Sequence, residues 1–87
     1  MERVTTLNNL HEGQWANVIA LQMDGDMRRR LQDLGLIEGT KVLCVQKSPA
    51  GDPIAYLIRG AVIALRVEDS ENILVCGCSK GRGLFME

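Results

Sequence analysis

Residues 28–39 read Arg-Arg-Arg-Leu-Gln-Asp-Leu-Gly-Leu-Ile-Glu-Gly, a short helix followed by its own stop signal. Asp26 stands where a carboxylate can accept from the free N–H groups of a first helical turn. Met27, Leu31 and Leu34 recur at helical spacing and form one apolar stripe. Gly35 suits the left-handed position just past a helix end. Leu36 can then fold back on Leu31, the contact that accompanies a Schellman stop. A helix of about two turns is marginal alone in water. It must lie on a surface that the rest of the chain supplies, and Gly39 opens the strands that do so.

Downstream, Thr40 to Lys47 is β-branched and apolar, with Val42 and Cys44 on one face and Leu43 and Val45 on the other. Ser48-Pro49-Ala50-Gly51-Asp52-Pro53 is a turn: Pro49 presets an early turn torsion, and Gly51 takes a positive φ without steric cost. Ile54 to Ile58 and Ala61 to Arg66 are the next strands, joined by a tight corner at Arg59-Gly60. Val67 to Glu71 reads as one turn of 3₁₀ helix, and Asn72 to Cys76 as the last strand. Upstream, Thr5 to Gly13 reads as a short helical turn with Thr6 as its cap. Trp15 to Met23 is the first strand. Its run Val18-Ile19-Ala20-Leu21 is apolar throughout, so alternation does not reveal the buried face.

Five short strands with short connections predict a mainly β fold, a small barrel that leaves few unpaired edges, with one short inserted α-helix. The barrel domain spans residues 1–76. Gly77, Gly81 and Gly83 predict a mobile tail over 77–87.

With 87 residues the chain holds one core, too small for a deep enclosed cleft. The net charge of −1 offers no attraction for a polyanion. Trp15, Tyr56 and Phe85 are the only aromatic residues, too few for a base-stacking platform or a proline-peptide groove. Nucleic acid is therefore not an expected partner. No export signal and no apolar run of membrane-spanning length are visible. The three cysteines are an odd number and fit a reducing cytoplasm better than a disulfide framework. The expected location is cytoplasmic, with no direct membrane insertion.

Three segments, RRRLQDLGLIEGTKV (28–42), SPAGDPIAYLIRG (48–60) and VIALRVEDSENILV (62–75), resemble the FeoA family in that order. The leader TLNNLHEGQWANVIAL (6–21) extends the resemblance over Thr5 to Val75. Its most specific parts are Arg29-Arg30-Leu31 with Leu34-Gly35-Leu36 and Gly39, then Pro49 with Gly51-Asp52-Pro53, then Gly60 with Ala64-Leu65-Arg66. The resemblance implies an SH3-like barrel with the helix inserted after the first strand. It implies a small cytosolic partner of the FeoB ferrous iron permease, recruited to the inner face of the membrane. It brings no catalytic residue and no cofactor. The tail CGCSKGRGLFME (76–87) departs from the family core.

The candidate partner contacts are Arg28, Arg29, Arg30, Pro49, Gly51, Asp52, Pro53 and Arg66. Consecutive helix residues point ~100° apart, so the three arginines cannot form one tight cluster. They read as a solvated face, or as a docking surface whose guanidinium forks hold carboxylates. Arg66 can tie to Asp52 or Glu68, or serve an interface. Cys76 and Cys78 offer two thiolates to a transition metal, whereas a structural zinc site takes four ligands. Cys44 reads as a small buried core residue, and the lone His11 as an exposed one. One histidine leaves nucleophilic catalysis without a base. An exposed strand edge is a further route to a partner, through backbone hydrogen bonds. Two functions emerge: an interaction module on the FeoB permease, or a metal-responsive protein binding through Cys76 and Cys78.

Overall fold

Alternating buried and exposed side chains along each strand build one antiparallel sheet that curls round a single core. The structure, a computed structural model, describes residues 4–78, without the side chain of Cys78. In chain order it contains β1 (Val4–Thr6), a 3₁₀ turn (Leu7–Asn9), β2 (Trp15–Leu21) and α1 (Gly25–Asp33). Then follow β3 (Lys41–Lys47), β4 (Ile54–Ile58), β5 (Ala61–Leu65), α2 (Val67–Ser70) and β6 (Ile73–Cys78). The spatial order is β1-β6-β2-β3-β4-β5.

There are six strands rather than five. Val4–Thr6 pairs with β6, Val4 opposite Cys76 and Thr6 opposite Leu74. That partner lies some seventy residues away along the chain, so no local pattern announces it. The helical turn follows one residue later, at Leu7. β6 continues through Gly77 and Cys78, beyond the expected strand end at Cys76. The remaining tail, 79–87, lies outside the described residues.

The ambiguous run in β2 is resolved by a register shift between Val18 and Ala20 against β6. The extra residue resets the alternation, so Val18 and Leu21, three apart, both face the core. A second shift, between Cys44 and Gln46 in β3, leaves Val45 exposed.

α1 starts at Gly25 with Asp24 at the cap position, not Asp26, and no side-chain cap bond forms. Asp26 sits in the first turn, where its charge still complements the helix dipole. The stop forms as the sequence implies. Leu36 N–H donates to Leu31 O at 3.0 Å, and Gly35 N–H donates to Gln32 O at 3.0 Å. Gly35 has φ +108°, and Leu31 and Leu36 are buried. A Cβ on Gly35 would lie 2.5 Å from Cδ of Arg59, so the helix end rests directly on the β4–β5 corner. The turn after β5 is α rather than 3₁₀: Ser70 N–H donates to Arg66 O at 3.0 Å, and Glu71 N–H to Val67 O at 2.9 Å.

The core gathers Leu7, Leu10, Leu31, Leu36, Ile54, Tyr56, Ile58, Ile73 and Val75, with Cys44 among them. Burying each such aliphatic side chain contributes about 1.5–3 kcal/mol. Tyr56 is fully buried, and its hydroxyl donates to Leu7 O at 3.4 Å, under the 3₁₀ turn. Burial pushes its pKa from 10.0 to about 12, the Ser70 hydroxyl pulling the other way and the Cys44 thiol adding to the rise. Burial also raises the Cys44 thiol, with Lys47 opposing and Glu12 reinforcing. That thiol is a core group, not a nucleophile.

Candidate docking surface

The predicted contact residues divide into those the fold uses and those it leaves open. Arg28 is used: its guanidinium donates to Leu21 O at 2.8 Å and to Met23 O at 3.5 Å, satisfying carbonyls at the end of β2. Asp52 is used as well. Its carboxylate accepts from Val67 N–H at 3.0 Å, capping α2 from a distant loop. The tie expected between Asp52 and Arg66 is therefore made one residue along, by the backbone of Val67. Arg66 is exposed at the cap position of α2 and forms no ion pair with Asp52 or Glu68. Gly51 serves the turn, with φ +87° and its N–H donating to Ser48 O at 2.8 Å.

Arg29 and Arg30 are exposed on α1. Pro49 and Pro53 sit elsewhere, on the loop that enters β4. The end of α1 packs on the corner that leaves β4. Five strand residues at ~3.3 Å each place these two ends ~17 Å apart. The structure therefore does not join the arginines and the prolines into one site.

What surrounds the prolines is uncharged. Strand register aligns Trp15, Leu43, Leu57 and Val62 in one row across β2, β3, β4 and β5. The neighbouring residues Ala16, Val42, Ile58 and Tyr56 are buried, so this row lies on the outer face. Trp15 is 42% exposed and Val62 64%, and Leu43 and Leu57 are half-buried. A second row runs Gln46, Ala55, Ala64. Neither row contains a charged residue. At their end a shallow pocket of about 200 Å³ is lined by Gln46, Ser48, Pro49, Pro53, Ala55 and Ala64. The Ser48 hydroxyl is buried there with no hydrogen-bond partner. Continuous uncharged surface of this kind marks interaction sites more often than it decorates a monomer.

Sequence reading put Leu43 and Val45 on one face of their strand, opposite Val42 and Cys44, but did not assemble the rows. The signal lay in the alternation of each strand; the missing piece was which strands lie side by side.

Cys76 is half-buried in β6, opposite Asn17. The side chain of Cys78 lies outside the described residues, so the proposed thiolate pair is not placed. Among the described residues, no three His, Cys, Asp or Glu side chains converge on a metal-sized site. Among those residues also, no helix is long and apolar enough to cross a membrane.

Six antiparallel strands and an inserted helix, closing on one hydrophobic core, define a small SH3-like module. The FeoA domain family model matches residues 5–76. The FeoA protein of Chlorobium tepidum, a solution structure, is 32% identical with a TM-score of 0.82, covering 90% of this chain and 76% of that one. A zinc-complexed FeoA from Stenotrophomonas maltophilia, described as a procaryotic SH3 domain protein, is 29% identical with a TM-score of 0.73, covering 82% and 88%. An Fe(2+) transport protein A/Fe(2+) transporter FeoB fusion protein of Porphyromonas gingivalis is 33% identical over 69 residues. That match covers 79% of this chain, which spans only 8% of the fusion protein's length. The chain belongs to the FeoA family, whose members are associated with ferrous iron transport.

Proposed function

We propose that this chain is a cytoplasmic accessory protein of ferrous iron uptake that docks on the cytosolic part of a FeoB-type permease. The observation that carries the reading is the fusion relative, in which a segment 33% identical to this chain shares a polypeptide with a FeoB transporter. Covalent linkage holds two modules at an effective concentration that a separate pair must replace with contact surface. The two rows of the outer sheet face, with Pro49 and Pro53 at their end, are uncharged and open enough to supply that surface. Arg29 and Arg30 form a separate charged patch for acidic groups of the same partner. No chemistry of its own is assigned to the chain.

The test is capture of tagged protein with detergent-solubilised membranes of the source organism, with and without chelator, and mass-spectrometric identification of what is retained. Retention of the FeoB permease in both conditions is expected. Absence of the permease, with the bait folded, contradicts the reading.

A second reading, direct metal binding through Cys76 and Cys78, draws on the zinc-complexed relative. Metal titration of the wild type and of a Cys76→Ser, Cys78→Ser variant separates the two. Equal binding by both removes these thiols from any metal role.

A further inference from the structure

The two edges of the sheet are built differently. β1 is three residues long, carries Thr5 and Thr6, and passes at once into the 3₁₀ turn. β5 spans five residues, Ala-Val-Ile-Ala-Leu, and pairs with β4 without any register shift. Among the described residues no strand pairs with its other side. Exposed edges are ordinarily blunted by lysine, proline, a bulge or brevity. Between Ala61 and Leu65 none of these is present. Ala61, Val62 and Ala64 are exposed, and Ile63 is half-buried.

We propose that β5 receives an extended segment of the permease's cytosolic part as an added seventh strand. This rests on the docking reading above and names its surface. Main-chain hydrogen bonds along the open edge supply affinity, and alternate side chains supply selectivity. The segment is about five residues long, the length of β5, and uncharged. Its small or branched apolar side chains lie beside Val62 and Ala64 and extend the two uncharged rows. Acidic residues at its ends suit Arg59 and Arg66, both exposed, which flank β5 on either side.

The same flanks disfavour a second copy of this chain. Antiparallel self-pairing centred on Ile63 sets Arg66 of one copy opposite Gly60 of the other, next to Arg59. Guanidinium groups then crowd at both ends of the joint, and like charges across strands destabilise pairing.

The experiment uses the full chain and the purified cytosolic part of the FeoB-type permease from the same organism. Binding is measured for wild type, Val62→Lys/Ala64→Lys and Arg29→Glu/Arg30→Glu. Both lysine substitutions sit at exposed positions, and an unchanged melting curve verifies the fold. Amide hydrogen exchange is followed on the free chain and on the complex. The expected result is at least a tenfold loss of affinity for the double-lysine variant, together with new protection of amides in 61–65 on complex formation. Wild-type binding that survives the lysines, with β5 amides unprotected, overturns the edge assignment and leaves the docking reading standing. No binding by the wild type overturns both. Protection of 61–65 that grows with the concentration of the free chain assigns the edge to self-association and overturns the proposal.

Discussion

The helix side and the outer sheet face use their residues in opposite ways. On the helix side almost every distinctive residue holds the fold together. Leu31 and Leu36 fill the core, Gly35 lets the helix end approach Arg59, and Arg28 satisfies carbonyls at the end of β2. On the sheet face, Trp15, Val45 and Val62 are large, apolar and exposed, and nothing in the core depends on them. Charge drew attention to the helix, whose end also exposes Leu34 and Ile37, whereas the uncovered rows that cross several strands lie on the sheet. A run of arginines is thus a weaker guide to docking than an uncharged row whose burial the monomer does not complete.

The contrast predicts a ladder of stability effects. At the top, Leu31→Ala should cost about 2–5 kcal/mol in urea unfolding, because it empties a site at the helix–sheet contact. A smaller loss would mean that the helix is only loosely seated. Gly35→Ala comes next. Forcing an L-residue to positive φ costs about 1–2 kcal/mol, and the Arg59 stem adds a contact 2.5 Å from the new Cβ. Adding Arg59→Ala, which removes the stem but keeps a Cβ at that left-handed position (φ 49°), should recover part of that loss; no recovery would place the whole cost in the backbone of residue 35.

Lower down, Tyr56 gives a pH signature. Its pKa is raised on folding from 10.0 to about 12, so the unfolded chain loses its phenolic proton first. The stabilisation is fully present below pH 10 and is lost as pH rises towards 12. Tyr56→Phe should flatten that decline in the urea midpoint, and an unchanged decline would assign it to other groups. Asp52→Ala should cost about 0.5–1 kcal/mol, with Asp52→Asn keeping most of the stability, since either side chain can accept from Val67 N–H. At the foot of the ladder, Val62→Lys and Ala64→Lys should each shift stability by no more than about 0.5 kcal/mol. A large loss there would mean that the sheet face belongs to the fold after all.

Much of this architecture is legible in the chain because its signals are local. The Schellman stop at Leu34-Gly35-Leu36, the turn at Pro49–Pro53 and the corner at Arg59-Gly60 are each set by a few adjacent residues with specific torsions. What was not legible depends on partners far along the chain. β1 is a strand only because β6 lies beside it. The face of β2 is decided by a bulge against that same strand. Asp52 was read as a turn residue and a candidate contact, yet it caps a helix fifteen residues on. The uncharged rows needed the strand order, which alternation within single strands does not contain. Strand count and short connections pointed to a small barrel, the resemblance to FeoA narrowed it to the SH3-like type, and the family match over residues 5–76 agrees with it.

The most direct measurement is a residue-by-residue map of backbone amide shifts as the permease's cytosolic part is titrated into isotope-labelled chain. The largest changes should fall on Val62, Ile63 and Ala64 and spread along the rows through Leu57, Leu43 and Trp15, with smaller ones at Arg29 and Arg30. Changes confined to the helix, with β5 unmoved, would contradict docking on the sheet.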